Sequence, residues 1–400
     1  MPLHDPAHAF VPYPDVPVPH ASTGPLTGLC FGVKDLFDIA GYPTGGGNPI
    51  VLARSGIKTR TAPTVQRLLD AGARLVGKTV TDELAFSMTG HNVHFGAPLN
   101  GAAPERISGG SSSGSASAVS NGLCDFALGT DTGGSVRAPA NHCGLYGLRP
   151  THGRVSLQGA LDLAPSLDTC GWFARDVQTF ARVADVLLDA DPAPLPAQVR
   201  LLKPIDVWAL SAPAAVAALE PALRATEAVL GAAQPVQAQL DSFEAMYWAF
   251  RYVQGREAWM TDGPLLERYA PPLGAAVKQR LDWCKTVTDA QLVPATAFRA
   301  RFRAHLGALL GRDGVLVMPT MHDIAPLRGD SEDAFEDYRN RSTESLCMAG
   351  LSGFPQLSMP LASRAGAPLG LSLLGPAGSD RSLIALAERI AATLPAPIYG

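Results

Sequence analysis

Short apolar runs alternate with stretches of helical periodicity along the first third of the chain. An apolar run too short for a helix predicts a buried strand, whereas Val65, Leu68 and Leu69 recur at the spacing of one helical face. The pattern predicts strand 29–34, helix 62–71, strand 74–77, helix 82–88, helix 113–121 and strand 126–129. This alternation is typical of an α/β layered architecture with a largely parallel or mixed sheet.

The last third resumes this pattern, and the middle third differs from it. Strands are predicted at 315–319, 356–360 and 370–374, and a final helix at 380–392. Residues 176–260 are rich in alanine and are predicted to be helical. Because the later strands resume the earlier pattern, we expect one large domain over 26–400, with about 180–310 as a helical insertion or cap. The proline-rich residues 1–25 are expected to form an extended arm on the surface.

Composition favours a large buried core and argues against several kinds of partner. Apolar residues make up 46% of the 400 residues and charged residues only 17%. The formal net charge is −4 and no basic run stands out, so neither nucleic acid nor a membrane is expected as a partner. Six scattered cysteines and the lack of an apolar leader at the N-terminus favour a reduced, cytoplasmic protein.

Two serine clusters, each introduced by paired glycines, carry the main chemical signal. Ser111 follows Gly109-Gly110, and Ser135 follows Gly133-Gly134, 24 residues later. Glycine pairs allow a backbone to approach a ligand closely, and hydroxyls on such loops are suited to nucleophilic chemistry. Lys34 ends an apolar run, and burial would make its amine neutral and available as a general base.

Other chemistries are weaker interpretations of the same residues. Residues 72–79 satisfy the spacing of a phosphate-binding P-loop ending in Lys78, but Leu75-Val76 is typical of a strand and leaves no loop to hold phosphate. A nucleotide-binding protein therefore stays a remote alternative. The histidines form no metal-binding pattern, so no metal and no cofactor are expected, while composition alone leaves a Ser-His-Asp triad open.

Several segments together resemble the amidase signature family of serine hydrolases. The segments that carry the resemblance are 32–35, 77–79, 109–114, 129–140, 144–151 and 353–355. It is close over about 26–175 and returns from about 314. The chain departs from many relatives in its early lysine and in reading Ser-Ser-Ser-Gly-Ser in the first cluster. The resemblance implies a single α/β/α layered domain with a large mixed central sheet.

The resemblance also implies the catalytic residues. Ser135 would be the nucleophile, Ser111 a serine preceded by a cis peptide bond, and Lys34 the base, acting through an acyl-enzyme. The backbone N–H groups expected to form the oxyanion hole are those of Thr132, Gly133 and Gly134. The residues expected to orient the two loops are Ser112, Asp131 and Arg137, with a pairing of Arg137 and Asp131.

Short members of the family that are similar to this chain include plant-type indole-3-acetamide amidases. We therefore expect hydrolysis of a small apolar or aryl primary amide to acid and ammonia. Aromatic residues concentrate over 243–260, and we expect Trp248 and Trp259 from this segment to line the pocket. Alternatives are the glutaminase (A) subunit of a tRNA-dependent amidotransferase, or an ester or carbamate hydrolase on the same triad. The expected partner is a small-molecule amide, and a homodimer is left open.

Overall fold

A ten-stranded sheet organises the computed structural model, which describes residues 4–394. Residues 1–3 of the expected arm and 395–400 of the expected domain lie outside the described residues. The strands are β1 (Cys30–Lys34), β2 (Arg74–Thr79), β3 (Phe126–Asp131), β4 (Tyr146–Arg149), β5 (Thr169–Ala174), β6 (Arg200–Pro204), β7 (Gln234–Val236), β8 (Gly314–Pro319), β9 (Gln356–Arg364) and β10 (Ala367–Leu374).

Helices flank this sheet and also pack on one another. They are α1 (Pro49–Ser55), α2 (Pro63–Asp70), α3 (Ser113–Ser120), α4 (Arg137–His142), α5 (Val177–Leu187), α6 (Ile205–Ala209), α7 (Pro213–Leu230), α8 (Phe243–Tyr269), α9 (Ala275–Lys285), α10 (Asp289–Leu310), α11 (Glu332–Ser352) and α12 (Asp380–Ala391). Helices α4 and α7 lie against β9 and β10, whereas α8 packs on α9, α10 and α11. Within residues 4–394, no helix has both the length and the apolar character needed to cross a bilayer.

The sheet is mixed, which confirms the expected α/β class. Its strand order is β2-β1-β3-β5-β4-β9-β10-β8-β6-β7. Strand β1 runs parallel to both β2 and β3, while β3 runs antiparallel to β5. Because the carboxyl ends of parallel strands meet at one edge of a sheet, the loops after β1 and β3 open side by side. This edge positions the candidate site.

The hydrophobic periodicity of the sequence predicts most of the strands and helices in the first and last thirds of the chain, with one clear error. The predicted helix over 82–88 is wrong, since the structure has only a single 3₁₀ turn at Glu83–Ala85. Leu84 and Ala85 have φ of 52° and 55°, outside the right-handed helical region. Tertiary contacts determine this turn, because the Leu84 N–H donates to the Gly46 carbonyl and the Glu83 carboxylate accepts from the Gly274 N–H.

The alanine-rich middle of the chain contains strands as well as helices. Strands β6 and β7 both fall inside 176–260, the segment predicted to be helical throughout. Strand β6 pairs with β8, so this part of the chain contributes to the central sheet. Strand β6 reads Arg-Leu-Leu-Lys-Pro, and its two adjacent leucines are too short an apolar run to distinguish a strand from the surrounding helical pattern.

The described part of the arm, residues 4–25, is largely without helix or strand and lies along the sheet edge. The Val11 N–H donates to the Lys78 carbonyl at 2.9 Å, and the Val80 N–H donates to the Ala9 carbonyl at 2.9 Å. Ala9 and Phe10 are buried. These contacts cover part of β2, the edge strand on this side of the sheet.

Candidate active site

Lys34 is the last residue of β1 and lies fully buried at the edge where parallel strands end. Its Nζ donates to Ser111 Oγ at 2.7 Å and to Thr130 Oγ1 at 2.8 Å. Thr130 belongs to β3, the parallel neighbour of β1, so strand pairing brings the lysine and the threonine together. Sequence reasoning missed Thr130, although it lies between Gly129 and Asp131 in the second glycine-rich motif.

Burial makes Lys34 a suitable proton acceptor. Desolvation lowers the pKa of its ammonium group to about 7, against the opposing influence of Asp82, Asp168 and Asp131. A lysine with this pKa is substantially neutral near physiological pH. Its lone pair can then accept a proton from an adjacent hydroxyl.

The first serine loop contains a cis peptide bond between Gly110 and Ser111 and is held by the neighbouring residues Thr81 and Asp82. The Ser111 carbonyl accepts from the Asp82 N–H and from Thr81 Oγ1, both at 3.0 Å. Gly110 lies so close to Asp82 that an added Cβ would come within 2.2 Å of Asp82 Oδ2. Only glycine fits at this position.

The second serine loop is organised by the buried carboxylate of Asp131. Its oxygens accept from the backbone N–H groups of Gly134, Val136 and Arg137 at 2.9 to 3.2 Å. Arg137 Nε and Nη2 donate to the same carboxylate, so the expected pairing is present in the structure. Burial alone would raise the pKa of Asp131, but the charges of Arg137 and Arg149 hold it well below its usual value.

Ser112 connects the two serine loops. Its N–H donates to the Ser135 carbonyl at 3.4 Å, and its Oγ exchanges hydrogen bonds of 3.2 Å with the backbone of Thr130. Within residues 4–394, no hydrogen bond joins the hydroxyls of Ser111 and Ser135 directly. The structure thus places Lys34 against Ser111 and places Ser135 on the adjoining loop.

One of the three backbone N–H groups expected to stabilise the oxyanion already has a hydrogen-bond acceptor within the protein. The Gly134 N–H donates to Asp131 Oδ1 at 2.9 Å. Among the described residues, no acceptor takes the N–H of Thr132 or Gly133, and both residues line the cavity beside Ser135. Thr132 is fixed by its hydroxyl, which donates to Asp168 Oδ1 at 2.5 Å. Thr132 and Gly133 therefore have N–H groups free for a ligand.

A small cavity of about 20 Å³ opens next to Ser135. Its apolar wall consists of Phe86, Met88, Leu163 and Phe250. Its polar lining includes Gln254, Arg339 and Thr343, which come from α8 and α11. One side of the cavity thus suits an apolar acyl group, and the other offers hydrogen-bond donors.

Neither predicted pocket tryptophan lines this cavity. Trp248 is 39% exposed and stacks on Tyr252. Trp259 lies partly buried beneath the Lys285 ammonium group, whose Nζ is 5.1 Å from the ring centroid. Helix α8, which carries both tryptophans, contributes Phe250 to the cavity instead. The face of α8 that points inward carries Phe250 and contacts the Ser135 loop at Gly133, whereas the tryptophans lie on other faces.

The P-loop-like segment has a structural role. Residues Arg74–Thr79 form β2, and Lys78 Nζ lies 2.7 Å from Asp35 Oδ1 in the interior. Lys78 also donates to the carbonyl of Pro43 and to Thr44 Oγ1. The segment forms no loop around a phosphate site. Nor, among residues 4–394, do three or more His, Cys, Asp or Glu side chains group together as metal ligands would.

Sequence comparison identifies the class of protein that this fold and site belong to. Residues 15–244 match the family described as Amidase. The chain is 36% identical over 396 residues to "Amidase 1" of Arabidopsis thaliana, an alignment that covers 92% of this chain and 93% of that protein. The protein is an amide hydrolase. It belongs to the amidase signature family.

Two further relatives show the breadth of this family. A solved structure described as "Crystal structure of amidase" superposes with a TM-score of 0.82 at 30% identity, covering 93% of this chain and 86% of that one. The chain is also 31% identical to the A subunit of the glutamyl-tRNA(Gln) amidotransferase of Methanothermobacter thermautotrophicus, over 92% of this chain and 85% of the relative. Family membership therefore establishes the enzyme class and leaves the substrate to be inferred from the site.

Proposed function

We propose that the chain hydrolyses a primary amide of a small apolar or aryl acid to the acid and ammonia through Ser135, Ser111 and Lys34. The observation that supports this most is the 2.7 Å contact of a buried lysine amine with Ser111 Oγ, on the loop beside Ser135. A base with a pKa of about 7 matches general-base catalysis at neutral pH. The apolar wall of the cavity supports the apolar acyl group.

In the proposed mechanism, a proton moves from Ser135 to Ser111 and from Ser111 to Lys34 as Ser135 Oγ attacks the amide carbonyl. The relay requires the Ser135 hydroxyl to approach Ser111 when substrate binds. The N–H groups of Thr132 and Gly133 stabilise the oxyanion, and Gly134 instead holds Asp131 in place. The relay then protonates the leaving nitrogen, ammonia departs, and water hydrolyses the acyl-enzyme.

The test is ammonia release from a panel of primary amides by the wild type and by Ser135→Ala, Ser111→Ala and Lys34→Ala. Each of the three variants is expected to lose at least about a thousandfold in kcat/KM. The matched control is Ser363→Ala, which removes the hydroxyl of an exposed serine near the end of β9. Unchanged activity in Ser135→Ala would remove the nucleophile assignment.

A second candidate function is the glutaminase step of an amidotransferase, favoured by the relative from Methanothermobacter thermautotrophicus. That function predicts glutamine as the preferred amide and dependence on a partner chain. Hydrolysis of simple amides by the isolated chain, with glutamine a poor substrate, would exclude it. The same panel extended to the matching esters and carbamates separates amide hydrolysis from these alternatives.

We also propose that residues 180–310 act as a cap that shapes the pocket, since α8 contributes Phe250 and Gln254 to the cavity. The arm and the domain boundary near residue 26 belong to the same proposal.

We further propose a cytoplasmic location, which cell fractionation tests, and a homodimer, which light scattering tests.

A further inference from the structure

Three buried arginines from three helices meet behind the polar side of the catalytic cavity. Arg251 on α8, Arg280 on α9 and Arg339 on α11 are only 7%, 7% and 6% exposed. Glu336 accepts from Arg339 Nη1 at 2.9 Å and from Arg280 Nη1 at 3.0 Å. One carboxylate is thus hydrogen-bonded by two guanidinium groups while a third lies nearby.

The three guanidinium groups carry more positive charge than the single carboxylate of Glu336 neutralises, and some of their N–H groups have no hydrogen-bond acceptor. Within the described part of the chain, Arg251 Nε and Nη1 have no hydrogen-bond partner, although the guanidinium lies 4.8 Å from the centroid of the Trp283 ring. Cation–π contact offsets part of the cost of burying that charge. Buried guanidinium groups without acceptors are costly, so the arrangement favours an additional anion.

Arg339 connects this surplus charge to the site of chemistry. It lines the cavity together with Ser135 and Gln254, and of its side-chain nitrogens only Nη1 has an acceptor among residues 4–394. Its remaining N–H groups form a planar fork that matches a carboxylate. A purely apolar ligand would cover these donors and leave them unsatisfied.

We propose that Arg339, with Arg251 and Arg280 behind it, binds a carboxylate at the far end of the acyl group. The substrate is then the monoamide of a dicarboxylic acid, whose apolar middle lies against the cavity wall. This inference rests on the proposed amide hydrolysis, and it replaces the wholly apolar or aryl acyl group proposed above by one with an apolar middle and a terminal carboxylate. In the overall reaction the amide C–N bond breaks, the carbonyl carbon takes oxygen from water, and ammonia and a dicarboxylate leave.

The test compares two amides that differ only at this end: glutaramic acid, with a terminal carboxylate, and valeramide, with a terminal methyl group. The wild type is expected to favour glutaramic acid by at least about tenfold in kcat/KM. Arg339→Gln is expected to reduce that preference by at least about tenfold, and Arg339→Lys by less. The matched control is Arg341→Gln, an exposed arginine two residues further along α11, which should keep the preference.

A binding measurement separates this inference from the proposed function. Titration of Ser135→Ala protein with glutarate and with valerate needs no catalysis, and tighter binding of glutarate that is lost with Arg339→Gln supports the carboxylate site. If no amide releases ammonia while glutarate still binds through Arg339, the hydrolysis proposal fails and the site survives. Equal kcat/KM values for the two amides, or equal effects of Arg339→Gln and Arg341→Gln, overturn the inference.

Discussion

Lys78 Nζ lies 2.7 Å from Asp35 Oδ1, and both side chains are almost completely buried. Asp35 directly follows Lys34 in sequence and also accepts from Tyr13 Oη and the Gly45 N–H. The ion pair therefore fixes the backbone immediately after the candidate base. It links the edge strand β2 to the end of β1.

Removing one member of this pair should be strongly destabilising. Lys78→Met leaves a buried carboxylate without its cation, and we expect the free energy of unfolding to fall by about 3–5 kcal/mol. The control is Lys58→Met, because Lys58 forms a partly exposed pair with Asp38 and should contribute about 0–1 kcal/mol. Urea unfolding of both variants measures the difference, and equal losses would contradict a special role for the buried pair.

Activity should depend on the neutral form of Lys34. Because burial lowers the pKa of Lys34 to about 7, kcat/KM should rise with pH and level off above that value. In the unfolded chain the Lys34 ammonium group keeps its proton up to a pH near its ordinary pKa of 10.5, whereas in the folded protein it loses that proton above about pH 7. The contribution of Lys34 to the free energy of unfolding therefore increases as the pH rises from about 7 to 10.5. A pH–rate profile with an uncharged amide measures the first effect, and a flat profile across neutrality would be incompatible with Lys34 as base.

Gly133 should be intolerant of a side chain. An added Cβ would lie 2.7 Å from Phe250 Cζ, so Gly133→Ala must displace either the aromatic ring or the Gly133 N–H, which we propose binds the oxyanion. We expect a loss of about a hundredfold or more in kcat/KM. Gly329→Ala is the control, since a Cβ there meets nothing within 4 Å.

A second substitution checks the cause of that loss. Phe250→Leu in the Gly133→Ala background opens space for the new methyl group and should restore part of the activity. No restoration would mean that the backbone, not the contact with Phe250, limits this position.

Phe250 should determine acyl preference more than the neighbouring tryptophan. Phe250→Leu reduces the apolar wall of the cavity, so kcat/KM for phenylacetamide should fall relative to acetamide by roughly threefold or more. Trp248→Ala changes a surface stack outside the cavity and should leave the ratio unchanged. An equal shift in both variants would show that the acyl group binds nearer to Trp248.

The sequence predicts the α/β class of the fold and the positions of the two serine loops, because glycine pairs and buried strands have strong local signatures. The loops of Ser111 and Ser135 and the strand of Lys34 could be read directly, and their catalytic roles stay predictions. Thr130 was missed because its contact with Lys34 arises only from the pairing of β1 with β3.

The helix predicted over 82–88 and the tryptophans expected in the pocket differ from the structure for one physical reason, the dominance of tertiary contacts over local preference. The 82–88 segment has helical periodicity, yet Asp82 is fixed against Gly110 and Leu84 bonds to Gly46. The concentration of aromatic residues over 243–260 favours a pocket wall that includes Trp248 and Trp259. Which face of a helix points inward depends on the partner helices, and α8 is set by its packing on α9, α10 and α11.

Arg137 joins distant parts of the polypeptide at the Ser135 loop. Its Nη1 donates to the Leu346 carbonyl and to Gln356 Oε1, more than 200 residues further along the chain. Strand β9, which begins at Gln356, pairs directly with β4. During synthesis the ribosome must therefore deliver the chain through β9 before the Ser135 loop can take its final shape, and a nascent chain stalled before β9 should be unable to hydrolyse any amide.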